Sequence, residues 1–382
     1  MKATSEAELA EAIGGATGPL RIMGGGTRDV GRPVAGEVLE VGLTGVELYE
    51  PGSLTLVVRA GTPLAEIEKL LANEGQRLAF EPLDFRGFLQ PGDRHASAVS
   101  TIGGVVAANA SGPRRIQAGA VRDFTLGMRF VDGTGRIVKN GGRVMKNVTG
   151  YDLVKLVAGS WGTLGVISEI SLKVQSIPET EATLVGHCDS VDDAVARMSA
   201  ALGSPFDVTG ACADLRGRVS IRLEGLEGSV DYRARALSSG ALQGFERVDA
   251  ETSREIWRGV TSLEAFQSTP ATDVWRISLR PSDTPAFMDA VEDIAANAVF
   301  DWGGGLVWLE TKEGLVTQDA AGLIRDTANR FGGHATLMRA SASARAALDV
   351  FQPQAPGLAR LSAAIKQKFD PRGILNPGLM GY

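Results

Sequence analysis

The sequence predicts an α+β chain of two successive domains: a glycine-rich one over 1–178, then an antiparallel-sheet one over 179–345. A tail over 346–382 is expected to return to the first. Three observations lead there. Glycine, at 48 of 382 residues against a usual share of about 7%, is concentrated before residue 170. Beyond Pro178 it thins, and a strand-helix-strand-strand-helix-strand order occurs twice. A chain of this length with 44% apolar residues also exceeds what one hydrophobic core ordinarily supports.

The chain opens on a helix over 5–13, with Ser5 and Glu8 spaced as a capping box. The apolar strand 20–23 follows and runs into Gly24-Gly25-Gly26-Thr27-Arg28-Asp29. Strands over 46–50 and 55–60 flank the turn Pro51-Gly52-Ser53. The next helix has Thr62 as its expected N-cap and Pro63 as its first residue, with Leu64, Ile67 and Leu71 on one face and Gly75 as its stop. Residues 97–112, SAVSTIGGVVAANASG, are almost all small, which suits backbone lying against a flat surface. Alternation around Asp132-Gly133-Thr134-Gly135 predicts a hairpin over 125–139. A short helix, a glycine-rich turn over 159–165 and a long strand ending near Val174 complete this domain.

In the second domain, strands over 181–188, 206–215, 218–224 and 244–249 alternate with helices over 191–202 and 229–239. The order recurs with strands over 273–279, 298–302, 305–310 and 334–339 and helices over 285–296 and 318–331. Two ferredoxin-like halves follow, joined into one antiparallel sheet with helices on one face. The tail is an amphipathic helix over 358–369, stopped at Asp370-Pro371, and then the turn-rich Arg372-Gly-Ile-Leu-Asn-Pro-Gly378.

Several classes of function are excluded. A net charge of −6 with scattered charges offers no basic stripe for nucleic acid. Three glutamates among the first eleven residues and no apolar core exclude a signal peptide, so a cytoplasmic protein is expected. No apolar run approaches the roughly 18–20 residues of a membrane span, which leaves peripheral docking open. Cys188 and Cys212 lie far apart, outside any CxxC pattern, and cannot alone build an iron–sulfur cluster or a disulfide framework. His95, His187 and His334 lack metal-ligand spacing. Any redox chemistry must come from an organic cofactor.

The triple glycine is not a dinucleotide fingerprint: GxGxxG from Gly24 needs glycine where Asp29 stands, and Pro33 disfavours a phosphate-binding helix directly after it. What remains is an ordinary tight loop, or a nest of backbone N–H groups for a pyrophosphate with Arg28 adding charge. Three further loops join it: Ser100-Thr-Ile-Gly-Gly104, Asn109-Ala-Ser-Gly112 and Gly159-Ser-Trp-Gly-Thr-Leu-Gly-Val-Ile167. Together they resemble the FAD-binding (PCMH-type) domain of the vanillyl-alcohol-oxidase family. The resemblance implies that Gly24, Gly25, Gly26, Thr27 and Arg28 hold the FAD pyrophosphate, and that Ser100, Thr101, Gly103 and Gly104, with Asn109 and Gly112, line pyrophosphate and isoalloxazine. It places Gly162, Gly165, Val166 and Ile167 along the FAD towards the adenosine. Members that attach FAD covalently often use a histidine in the first loop; Thr27 stands here, which implies noncovalent FAD.

Over nearly the whole chain, Ser111-Gly-Pro-Arg-Arg115, Lys146-Asn-Val-Thr-Gly-Tyr-Asp-Leu153, Gly333-His-Ala-Thr-Leu337, Phe369-Asp-Pro and Leu375-Asn-Pro-Gly378 resemble the FAD-binding (E) subunits of bacterial glycolate oxidases. That family implies oxidation of a short 2-hydroxy acid in a complex with a second flavin subunit and an iron–sulfur subunit, and peripheral attachment to the inner membrane through them. Where the family often has Asn-Pro-Gly-Arg-Met, this chain has Leu379 before Met380, a departure expected to bear on tail contacts more than on FAD.

The HxGDGNxH motif of self-sufficient D-2-hydroxyacid dehydrogenases is absent, and the sequence names no base to take the hydroxyl proton. His334 competes with a structural role. Arg276, Arg339 and Glu310 are candidate carboxylate clamps or ordinary salt-bridge partners, and Trp302 and Trp308 pocket walls or core. Tyr151 and Lys146 are candidates for the flavin neighbourhood or for capping and packing. Two alternatives stay open: a free-standing FAD-dependent D-2-hydroxyacid dehydrogenase, and an assembly subunit with a vestigial flavin site.

Overall fold

A computed structural model describes residues 1–89, 98–143, 150–269 and 271–381. They divide into two compact units, one of Met1–Ser111, Gly119–Ile177 and Pro353–Tyr382, the other of Gly112–Ala118 and Pro178–Gln352. Among the described residues no helix is long and apolar enough to cross a membrane.

The first unit starts with the helix Glu6–Gly15, where the Ser5 side chain accepts from the Glu8 amide and the Glu8 carboxylate accepts from Thr4 rather than from Ser5. A parallel three-stranded sheet places Glu37–Val41 between Lys2–Ala3 and Leu20–Met23. An antiparallel five-stranded sheet runs Val46–Glu50, Thr55–Arg59, Val166–Lys173, Thr125–Val131, Ile137–Gly141. Its central strand, Val166–Lys173, buries side chains on both faces, hence the apolar run Val166, Ile167, Ile170, Leu172 with only Ser168 and Ser171 as buried polar members. Val131 pairs with Ile137 across the Asp132 turn of the expected hairpin.

Two local expectations change. Thr62 does not cap the next helix, Leu64–Ala72. Its hydroxyl donates to the carbonyls of Arg59 and Gly45 and accepts from the Gly45 amide, so it staples two loops instead. The small residues after Ser100, expected only as backbone against a flat surface, form a buried helix, Ile102–Ala108. Thr101 caps it through Oγ1, which accepts from the Gly104 amide at 3.3 Å.

The tail closes this unit. From the helix Pro356–Phe369, the buried Lys366 ammonium donates to Asp370 Oδ2 and to the carbonyls of Thr163 and Leu375, at 2.7, 2.7 and 2.8 Å. Asp370 in turn accepts from the amides of Ile374 and Leu375. Burial pushes the Lys366 pKa down and Asp370 opposes it, so the pair is held by its satisfied partners.

The second unit is an eight-stranded sheet of two halves. In the first, Thr180–His187, Gly210–Asp214, Arg218–Gly225 and Glu246–Val248 lie in spatial order fourth, first, third, second. Val274–Ser278, Ala295–Asp301, Leu306–Thr311 and His334–Arg339 repeat that order. The halves meet edge to edge where Gly210–Asp214 pairs antiparallel with Ala295–Asp301. Both outer edges are therefore fourth strands, and pairing hides the second strands.

The helix Ala250–Thr261 was not predicted, since few of its residues are apolar. Trp257 Nε1 donates to Thr183 Oγ1 at 2.9 Å and Ser253 Oγ to Glu181 Oε1 at 2.7 Å. Those strand residues alternate with the buried Ala182 and Leu184, so this helix packs on the opposite face of the sheet. Helices thus cover both faces rather than one.

Lys366→Met would leave the Asp370 carboxylate and two carbonyls without their shared donor. The expected cost is about 3–5 kcal/mol, read as a lower urea midpoint. A midpoint equal to the parent's would show that the tail is held by apolar packing alone.

Candidate functional site

In the first unit a cavity of about 1010 Å³, counting space open to solvent, forms where four segments converge. They are the end of the strand Leu20–Met23 with the loop to Val30, the start of the helix Ile102–Ala108, the turn from Trp161 to Ile167, and the tail residues Asn376 and Leu379.

Glycine is required here first by packing. A Cβ on Gly25 would overlap the Val99 carbonyl, and one on Gly103 would stand 2.7 Å from the Ala60 carbonyl oxygen. One on Gly165 would press on the Phe130 ring at 2.6 Å. Gly26 adds a conformational demand, with φ +71. Around Gly104 there is more room: an added Cβ would meet Thr101 Oγ1 at 3.4 Å and the Arg28 guanidinium at 3.6 Å. At Gly25 and Gly103 the loops approach one another backbone to backbone.

Arg28 supplies the electrostatics. Its guanidinium donates to Thr27 Oγ1 and Ser100 Oγ at 3.0 Å each and to the Leu83 carbonyl at 3.1 Å, and lies 5.6 Å from the Phe85 ring centroid. All these partners are neutral. No carboxylate reaches it within ion-pair distance among the described residues, and its Nε is buried without a hydrogen-bond partner. Burial pushes its pKa down to about 10, with Asp84 opposing and Arg86 adding to the shift. At neutral pH it is still charged, so the cavity wall holds a desolvated cation without a counter-ion, a setting that favours an anion.

Of the residues singled out from the sequence, Gly24, Gly25, Gly26, Thr27, Arg28, Thr101, Gly103, Gly104, Gly162, Gly165, Val166 and Ile167 line this cavity. Ser100 stands behind the wall as an acceptor for Arg28. Asn109 and Gly112 do not line it. Asn109 ends the helix Ile102–Ala108 in the left-handed region, at φ 47, and its Oδ1 accepts from the Arg122 amide. Gly112 belongs to the second unit, where its carbonyl accepts from Trp302 Nε1 at 3.1 Å.

Tyr151 is 89% exposed, which removes it from the cavity, and Lys146 lies outside the described residues. In the second unit Arg339 pairs with Glu310 at 3.3 Å and donates to the carbonyls of Phe266, Thr269 and Thr272, and Trp308 is core, 1% exposed. Their roles are structural. The expectation for Leu379 also changes, since it lines the cavity.

Sequence reasoning missed Asn376 and Trp161. Asn376 Oδ1 accepts from the Ile22 amide at 2.8 Å and its Nδ2 donates to the Trp161 carbonyl at 2.9 Å, bracing two walls from the tail. Its signal was present in Leu375-Asn-Pro-Gly378, but only the fold brings that motif beside the strand Leu20–Met23.

Residues 1–141 match the family described as FAD binding domain. The chain is 37% identical to the glycolate oxidase subunit GlcE of Escherichia coli (strain K12), covering 95% of this chain and 92% of that protein. It is 25% identical to the glycolate oxidase subunit GlcD of Bacillus subtilis (strain 168), over 78% of this chain and 72% of the other. Among solved structures, an alkyldihydroxyacetonephosphate synthase shares the fold with a TM-score of 0.70, covering 99% of this chain and 76% of that one at 17% identity.

Asn376→Ala should destabilise the first unit by roughly 2 kcal/mol, through two lost hydrogen bonds and a left-handed backbone that alanine tolerates poorly. Asn376→Asp, which keeps the acceptor for Ile22 and loses the donor to Trp161, should recover part of that in thermal denaturation. Equal loss in both variants would assign the effect to the Trp161 contact alone.

Proposed function

The chain belongs to the family of FAD-binding glycolate oxidase subunits, and from that premise we propose that the cavity of its first unit holds one FAD noncovalently. In this role it serves a multi-subunit glycolate oxidase that converts a short 2-hydroxy acid to the 2-oxo acid. The observation that carries the placement of the cofactor is Arg28, a buried cation with an unpartnered Nε and only neutral acceptors, set in a wall of glycine backbone. The residues fit the group: a pyrophosphate brings the missing negative charge, and glycine lets peptide approach both phosphate oxygens and a flat ring.

Bound FAD supplies what no side chain can, a two-electron acceptor for an alcohol carbon. The protein's share is binding and orientation. Arg28 would offer its charge to the pyrophosphate, with Gly24, Gly25, Gly26 and Thr27 around it. Thr101, Gly103 and Gly104 would line the cofactor from the second wall, and Gly162, Gly165, Val166 and Ile167 from the third. Thr27 already accepts from Arg28, and it stands where covalently flavinylated relatives place a histidine, which supports noncovalent attachment.

Electrons must leave through partners. Cys188 and Cys212 are both buried, and burial raises both thiol pKa values, that of Cys188 to about 11, which disfavours the thiolates an iron–sulfur cluster needs. We therefore assign the iron–sulfur centre to a separate subunit, beside a second flavin subunit. The complex would work in the cytoplasm, with peripheral attachment to the inner membrane through those partners.

The purified chain should show flavin absorption that acid precipitation releases into solution as FAD. Arg28→Met should weaken FAD binding about 10- to 100-fold in a titration of flavin-stripped protein. A colourless chain that ignores added FAD would overturn the flavin site, and parental affinity in Arg28→Met would remove Arg28 from it.

A further inference from the structure

The helix Pro356–Phe369 leads into the tail, and its free side takes no part in the cavity described above. Its last turn is fixed by Lys366, the one buried residue of the helix, through the bonds of that ammonium to Thr163, Asp370 and Leu375. From Pro356 to Leu361 every residue is exposed, Leu358 at 53% and Leu361 at 58%. Ile365 is half-buried, and with Leu358 and Leu361 it follows the i, i+3, i+7 spacing of a single apolar stripe.

This exposed half has little to hold it helical in water. A helix of 14 residues is marginal on its own, and helices in proteins draw most of their stability from packing an apolar face. Ala355 provides no side-chain cap, the first turn has no acidic residue, and Gly357 is a poor helix former. The helix Val191–Leu202 is built differently: Ser190 caps it, and it buries Ala194, Val195, Met198 and Ala201. What Pro356–Leu361 lacks is a surface to pack on.

Charge narrows the choice of surface. Between Asp349 and Asp370 there is no carboxylate, and in a chain of net charge −6 this stretch carries Arg360, Lys366 and Lys368. Asp370 pairs with Lys366, whereas Arg360 and Lys368 are exposed and make no ion pair among the described residues. We propose that Leu358, Leu361 and Ile365 dock into an apolar groove on another protein subunit, and that Arg360 and Lys368 meet carboxylates on the rim of that groove. Helix-in-groove recognition uses anchors at this spacing. A membrane surface is the poorer match, since attraction to anionic lipid draws on clusters of roughly 4–8 basic residues and only Arg360 and Lys368 are free on this helix. That the partner is a subunit of the glycolate oxidase complex rests on the function proposed above.

The test is purification of the native complex through a tag on the full-length chain, with the co-purifying subunits identified by mass spectrometry. Leu358→Asp combined with Leu361→Asp should cut their recovery about tenfold or more, with FAD content and urea midpoint at parental levels. Should the aspartates unwind the helix, Arg360→Glu combined with Lys368→Glu decides: reversing the charge should also cut recovery, and parental recovery would overturn the proposal. A photo-crosslinking residue in place of Leu361 should join the chain to another subunit through a peptide that contains Asp or Glu. A crosslink to a second copy of this chain would overturn the proposal, as would binding to phosphatidylglycerol vesicles that the aspartates abolish while subunit recovery stays parental. A parent chain that brings down no other subunit would overturn the complex and the docking face together, whereas recovery unchanged in both variants sinks the docking face alone.

Discussion

Close approach of backbone to backbone is the constraint on which the candidate cofactor cavity depends. The loop after the strand Leu20–Met23 can reach the segment before Thr101 only because Gly25 has no Cβ to overlap the Val99 carbonyl. The helix Ile102–Ala108 seats against Ala60 only because Gly103 has none either. With those contacts made, Arg28 is drawn in among Thr27, Ser100 and Leu83, and its charge is removed from water. Packing thus creates the electrostatics. The tail then completes the walls, through Lys366 on the Thr163 and Leu375 carbonyls and Asn376 between Ile22 and Trp161.

The arginines of this protein separate by what they face. Arg339 and Arg114 meet buried carboxylates, and such pairs are self-contained: removing one partner strands the other, but neither asks for a ligand. Arg28 is held by neutral acceptors. Burying a cation without a counter-ion is costly, and a fold that retains the arrangement is organised to receive an anion. The contrast within one chain lends weight to Arg28 in the first unit, where the identity of the residue alone would not.

Much of the second unit was legible from hydrophobic alternation, because antiparallel strands with one face on a core print a period of two into the sequence. The helix over 191–202 and the strand over 334–339 coincide with Val191–Leu202 and His334–Arg339. The helix Ala250–Thr261 escaped because it is polar overall and its contact with the sheet runs through hydrogen bonds of Trp257 and Ser253. Thr62 was misjudged for a related reason: a hydroxyl before a helix reads as a cap, and only the proximity of Gly45 gave it other partners.

By itself, the sequence determined most strands of the second unit, the glycine-rich first half and three of the loops that line the cavity, since turn chemistry and small-residue demands are local and leave their mark residue by residue. Tertiary structure decided which of those glycines and polar groups share a wall. It moved Asn109 to a helix end, set Gly112 beneath Trp302, turned Tyr151 to solvent, and brought Asn376 and Leu379 from the far end of the chain to the strand Leu20–Met23. The physical reason is that a counter-ion's absence, or a brace between residues hundreds of positions apart, is a relation between segments, and no single segment records it.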